Sequence, residues 1–278
     1  MLFDTHLHLV YRERLSYPWL NDVPALNKDS DFATYLIKAR KLGIGGCFHM
    51  EVDVSPDQIK AETEMVKEHM SSHPDVMRGA ISSCRPESDS FPGFLESARG
   101  EAAIRGFRRL LHVEPDDLSQ NQMFRDNVKR LSGTGLTFDI CARADQLLIA
   151  AALVDHCPDV QFILDHCGVP DIAGDKFDEW AANIAEIARR ANVVCKISGI
   201  SAYARPDEWS AAELRPYFDH VVSNFGNDRI IWGSDSPVCN LGGGLENWVA
   251  LTRYFTQDWN SADRGLFYSE NAKAIWEL

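Results

Sequence analysis

"LFDTHLHLV", residues 2–10, sets two histidines one residue apart inside an apolar run. In an extended strand the side chains alternate between two faces. Asp4, His6 and His8 are therefore expected on one face and Phe3, Thr5, Leu7 and Leu9 on the other. A carboxylate or an imidazole is costly to bury without hydrogen-bond partners, water or a metal ion. Such a segment is either a half-exposed edge strand or a strand whose end opens into a functional site, and its neighbours along the chain decide between the two.

Outward from this stretch, short segments rich in Val, Ile, Phe and Leu recur, and they predict strands near 2–8, 44–50, 76–82, 104–110, 136–141, 160–165, 193–198 and 229–234. Helical patterns fill the intervals at 31–42, 56–72, 91–99, 119–132, 144–157, 176–191 and 210–225, and two more follow the last strand at 245–258 and 262–277. Asp31, Ser119 and Ser210 stand where N-caps are expected. Eight βα units without a linker rich in Pro, Gly or Ser predict an α/β fold, a single-domain (β/α)8 TIM barrel over residues 1–278. A doubly wound sheet is the alternative. It lacks its dinucleotide fingerprint, because "GIGGCF", 43–48, has Phe48 where the last glycine would stand. The segment 11–30 is long for a βα loop and carries Tyr17, Pro18 and Trp19, a candidate aromatic wall or lid.

The composition narrows the function. With 28 Lys and Arg against 41 Asp and Glu the net charge is −13, which opposes any broad attraction to nucleic acid or to an anionic membrane. Seven cysteines without a Cys-x-x-Cys pair point to a reducing compartment. No apolar run has the length of a membrane span, and the first strand leaves no room for a signal peptide. A cytoplasmic protein acting on a small molecule is expected.

In a barrel the active-site groups stand at the C-terminal ends of the strands. Here those ends carry His6 and His8, His49 and Glu51, Arg108, Arg109 and His112, Asp139, Asp165 and His166, Lys196 and Ser198, and Asp235. His6, His8, His166 and Asp235 form a nitrogen and carboxylate set suited to one divalent metal, Zn²⁺ foremost. Strands one and eight meet where a barrel closes, so Asp235 can reach the histidine pair. Asp235 is the candidate general base, with His166 beside it as a second catalytic candidate. Counting by twos from Gly106 turns Arg108 into the lumen as a substrate-binding fork, while Arg109 reads as the partner of a helix carboxylate. Trp19, His112, Lys196 and Tyr203 are the further substrate-contact candidates. No Gly-x-Ser-x-Gly elbow is present, Cys167 reads as a packing residue, and "NLGGG", 240–244, as the lead-in to a helix.

These residues carry a family resemblance. "FDTHLHL" at 3–9, "YPWL" at 17–20, "RGFRRLLH" at 105–112, "FDIC" at 138–141, "FILDHCGVP" at 162–170, "NVVCKISG" at 192–199 and "RIIWGSDSPVCN" at 229–240 resemble the amidohydrolase superfamily, in its amidohydrolase-2 branch of fuconolactonase- and rhamnonolactonase-like sugar-acid lactonases. The resemblance implies a (β/α)8 barrel and hydrolysis of a sugar-acid lactone with one divalent metal. It places His6 and His8 as the strand-one pair, His166 as the strand-six histidine and Asp235 as the strand-eight acid. A second metal is not implied, because strands four and five read "GFRRLL" and "FDI" where two-metal members carry a bridging Lys or Glu and a histidine. The same neighbourhood includes metal-independent lactonases of pyrone dicarboxylates and decarboxylases of unsaturated or aromatic acids, and these are the alternative activities. A non-catalytic sugar-acid binding protein is a third reading. A homo-oligomer is compatible with the sequence.

Overall fold

The structure, a computed structural model, describes residues 1–206 and 208–278. Eight parallel strands follow one another in chain order: β1 Leu2–Leu7, β2 Ile44–Met50, β3 Met77–Ser83, β4 Ile104–Leu110, β5 Thr137–Cys141, β6 Phe162–Leu164, β7 Val193–Ser198 and β8 Ile230–Gly233. The intervening helices are α1 Phe32–Leu42, α2 Ile59–Ser72, α3 Phe91–Arg99, α4 Gln122–Lys129, α5 Leu147–His156, α6 Phe177–Ile187 and α7 Ala211–Phe225, followed by α8 Gly244–Phe255, α9 Ser261–Gly265 and α10 Asn271–Trp276. Closure occurs where expected. Leu7 pairs with Ser236, the Asp235 amide donates to the His6 carbonyl at 2.9 Å, and the His8 amide donates to the Ser236 carbonyl at 2.8 Å. The chain is a single-domain (β/α)8 TIM barrel.

Local chemistry accounts for several boundaries. Asp31 accepts from the Thr34 amide and Ser210 from the Glu213 amide, so both cap their helices. Ser119 does not: it lies in a 3-10 turn, and Asn121 caps α4 through the Met123 amide. Strand six is shorter than its apolar run suggests, because the chain turns sharply at Asp165–Gly168 with His166 and Cys167 in the left-handed region, φ 51° and 55°.

The barrel interior is layered. Its base is hydrocarbon: Phe3, Phe48, Met50, Ile81, Ile163, Val194 and Ile231 pack together and are closed from below by Trp276. Above it lies a buried ionic layer of Lys196, Asp139, Asp165, Arg108 and Glu51, and above that the histidines and Asp235. The facing of β1 departs from simple alternation. Phe3 shares the lumen with His6 and His8, while Asp4 lies on the helix side and accepts from the Tyr35 hydroxyl of α1 at 2.7 Å. The pairing with β2 slips by one residue between Asp4 and Leu7, a bulge that reverses the alternation once.

Candidate active site

His6 and His8 leave β1 beside the β8 turn that carries Asp235. Their Nε2 atoms are 3.2 Å apart, and Asp235 Oδ1 lies 3.4 Å from His8 Nε2 and 3.8 Å from His6 Nε2. His166 arrives from the turn after β6, with Nδ1 2.9 Å from Ser198 Oγ and 3.6 Å from Asp235 Oδ2. Asp235 itself has φ 56°, a left-handed conformation that aspartate tolerates better than most residues. Space for it is made by Gly199 at φ 53°, where a Cβ would sit 2.8 Å from Asp235 Cβ.

The protonation states suit ligation. His8 Nδ1 lies 3.0 Å from the Met50 carbonyl, which can only accept, so Nδ1 carries the proton and Nε2 keeps its lone pair. Burial, with the Arg108 charge next, pushes His8 down to about 3. Burial likewise holds His6 and His166 below the usual histidine value, although Asp165 opposes it at His6 and Asp235 opposes it at His166. Asp235 is pushed up to about 6 by burial, against the pull of His166 and Arg108. Among the described residues both of its carboxylate oxygens are buried without a hydrogen-bond partner. An orphaned buried carboxylate beside two imidazole nitrogens, of which His8 Nε2 keeps its lone pair, is an arrangement a divalent cation satisfies. The residues therefore fit a metal, with His6, His8 and Asp235 as one cluster and His6, Asp165 and His166 as an overlapping one.

The layer beneath positions these groups. Lys196 donates to Asp139 at 2.6 Å and to Asp165 at 2.8 Å, and its Nζ stands 3.3 Å from His6 Nδ1. Burial disfavours its ammonium, yet the two carboxylates hold its pKa above the usual lysine value. Lys196 is fully buried and does not line the cavity, which corrects its reading as a substrate contact: the carboxylates on β5 and at the end of β6 bind its charge below the histidines. Arg108 faces the lumen. Its Nε donates to Glu51 Oε1 at 2.6 Å and its Nη2 to the Glu51 carbonyl at 2.7 Å, while Nη1 lies 3.3 Å from His6 Nε2. Glu51, which sequence reasoning left without a role, thus sets the orientation of Arg108. Arg109 turns outward to Glu87 and Glu114. His49 also turns outward, to Glu62 of α2.

Over the site opens a cavity of about 410 Å³. His8, Arg108, His166 and Asp235 reach it from the floor, and Trp19, His112 and Tyr203 stand in its walls. Of the metal-ligand, catalytic and substrate-contact candidates, His8, Arg108, His112, His166, Tyr203, Trp19 and Asp235 line the cavity, while His6 lies beneath it against His8 and Asp235, and Lys196 lies beneath it in the ionic layer. Trp19 is fixed by donating its indole N–H to the Val52 carbonyl at 2.8 Å.

Comparison with known proteins identifies the family. The uncharacterized protein y4mH of Sinorhizobium fredii is 25% identical over 298 aligned positions, covering 100% of this chain and 98% of that protein. An L-fucono-1,5-lactonase of Burkholderia ambifaria is 29% identical over 172 positions, which cover 62% of this chain and 59% of the lactonase. Among solved structures, an amidohydrolase of Burkholderia multivorans with bound Zn superposes with a TM-score of 0.88 at 23% identity, over 100% of this chain and 99% of that one. The amidohydrolase family model Amidohydro_2 matches residues 3–278, and the chain belongs to that family.

Proposed function

We propose that the protein is a lactonase, which opens a cyclic ester to its free hydroxy acid with one divalent metal held by His6, His8 and Asp235. The observation that carries this reading is the unpartnered, buried Asp235 carboxylate set against the neutral imidazoles of His8, on the cavity floor, and His6, beneath it. The Burkholderia relatives named L-fucono-1,5-lactonase support ring opening of a lactone, and the Zn-bound Burkholderia multivorans amidohydrolase supports the metal. When bound, such an ion polarises an ester carbonyl and lowers the pKa of water.

The chain's own groups do the rest. Asp235 takes the proton from the attacking water as the new carbon–oxygen bond forms, and returns it to the ring oxygen as the ring carbon–oxygen bond breaks. Arg108, held by Glu51, points its Nη1 edge at the reacting centre, where it stabilises oxygen charge. His166, with Nδ1 2.9 Å from Ser198 Oγ, holds that same nitrogen 3.6 Å from Asp235 Oδ2. All seven cysteines are unbridged and buried, which supports a reducing, cytoplasmic setting, and among the described residues no helix is long and apolar enough to cross a membrane.

The test is a pH-indicator screen of lactones with metal content measured on the same preparation. Ring opening with no more than one strong metal equivalent per chain is expected, together with loss of activity on chelation. Release of CO₂ from an unsaturated or aromatic acid, with no lactone opened, would assign the site to decarboxylation instead.

A further inference from the structure

We infer that the lactone opened here carries a saturated hydrocarbon substituent, packed against an aliphatic wall that the long loop after β1 and the turn after β8 build over the catalytic floor. This rests on the lactonase reading and adds the substrate class.

Above the floor the cavity is walled by Leu20, Val23 and Leu26 from the loop 11–30 and by Val238 and Leu241 from the turn after β8, with Val113 at the mouth. Leu20 and Leu26 are buried although they sit in a loop, so the wall is already formed. Among the contacts that hold that loop in place are two beside the wall: Tyr17 accepts from the Tyr11 amide, and the Trp19 indole donates to Val52. The second contact also occupies the one polar atom of Trp19, leaving only its ring for a ligand.

The polar groups above the floor are few. Among the described residues the polar side chains there, besides the occupied Trp19 indole, are Asp53, His112, Cys141 and Tyr203. Asp53 faces Arg85 at 3.3 Å, and His112 Nδ1 is 3.2 Å from Cys141 Sγ. A polyhydroxylated ring would give up water at each hydroxyl and find too few partners here. A dicarboxylate fares worse. Arg108 is the one Lys or Arg among the described lining residues, and its guanidinium is engaged by Glu51 and faces His6 and Asp165. A hydrocarbon substituent needs no partners and gains from leaving water.

The size of the gain sets the test. Each buried methylene is worth roughly threefold to fourfold in binding. With the metal-loaded protein, kcat/KM should rise by about threefold per methylene from δ-valerolactone through δ-hexalactone to δ-octalactone. L-Fucono-1,5-lactone should fall below δ-hexalactone. Leu241→Asn and Val113→Asn should each narrow the ratio of δ-octalactone to δ-valerolactone by about threefold or more. Independently of turnover, the 5-hydroxyalkanoate products titrated calorimetrically into the wild-type protein should tighten along the same series.

A flat or falling series, or fuconolactone as the best substrate, overturns the hydrocarbon assignment and leaves the lactonase reading standing. If no lactone is opened while the hydroxyalkanoates still tighten with length, the lactonase reading fails and the hydrocarbon wall stands. Length-independent binding together with no turnover refutes both.

Discussion

Replacing Asp235 with asparagine separates a catalytic carboxylate from a structural one. The side chain keeps its shape but loses its charge and its ability to take a proton. A lost general base costs about 10²–10⁴ in rate, which corresponds to about 2.7–5.4 kcal/mol at the transition state. The stability term runs the other way. A strand-end aspartate that caps a turn contributes about 1 kcal/mol to folding, but neither carboxylate oxygen of Asp235 has a hydrogen-bond partner among the described residues. Asparagine also tolerates the φ of 56° found there. A neutral amide is cheaper to bury than an unpaired carboxylate, so the metal-free variant should be as stable as the wild type or more stable by about 1–2 kcal/mol. Steady-state kinetics would give kcat and KM on the best lactone, and urea unfolding of the chelator-treated proteins would give stability. The expected pattern is a kcat lower by the stated factor, little change in KM, and no loss of unfolding midpoint. Adding zinc should raise the melting temperature of the wild type more than that of the variant, because one ligand has been removed. A variant with kcat within threefold of the wild type, or one destabilised by about 1 kcal/mol or more, would refute the assignment and move the search for the base to His166.

Lys196→Met removes the cation from a fully buried group and leaves Asp139 and Asp165 facing one another without it. Breaking such a pair typically costs about 3–5 kcal/mol, so a urea midpoint close to that of the wild type would show that the ionic layer is not what holds His6 in place. Gly199→Ala puts a Cβ 2.8 Å from Asp235 Cβ at a φ of 53°, and the left-handed conformation alone costs a non-glycine residue about 1–2 kcal/mol. Both the melting temperature and kcat should fall. A fall in melting temperature with unchanged kcat would mean that Asp235 does not need its observed position.

The barrel was legible from repetition. Eight apolar segments spaced by amphipathic helices leave few other ways to bury both faces of every strand, and the observed strand order follows the chain from β1 to β8. The polar strand ends were legible too, because carboxylates, imidazoles and cations in positions that ought to be buried stand out against the hydrocarbon around them. His6, His8, His166 and Asp235 could be named on that ground alone. What they touch could not. Asp4 was placed on the wrong face because a bulge depends on how β1 pairs with β2, a contact between residues some forty positions apart. Lys196 looked like a substrate contact because its type is polar and its position is a strand end. Only the tertiary structure shows that Asp139 and Asp165 meet it below the cavity. The same holds for Glu51 at Arg108, and for the loop 11–30, whose leucine and valine side chains gain meaning once they lie over the site. Periodicity along one chain reports which residues must be buried. Which buried groups satisfy one another is settled by packing across strands and loops, where the cost of an unpaired charge selects the partner.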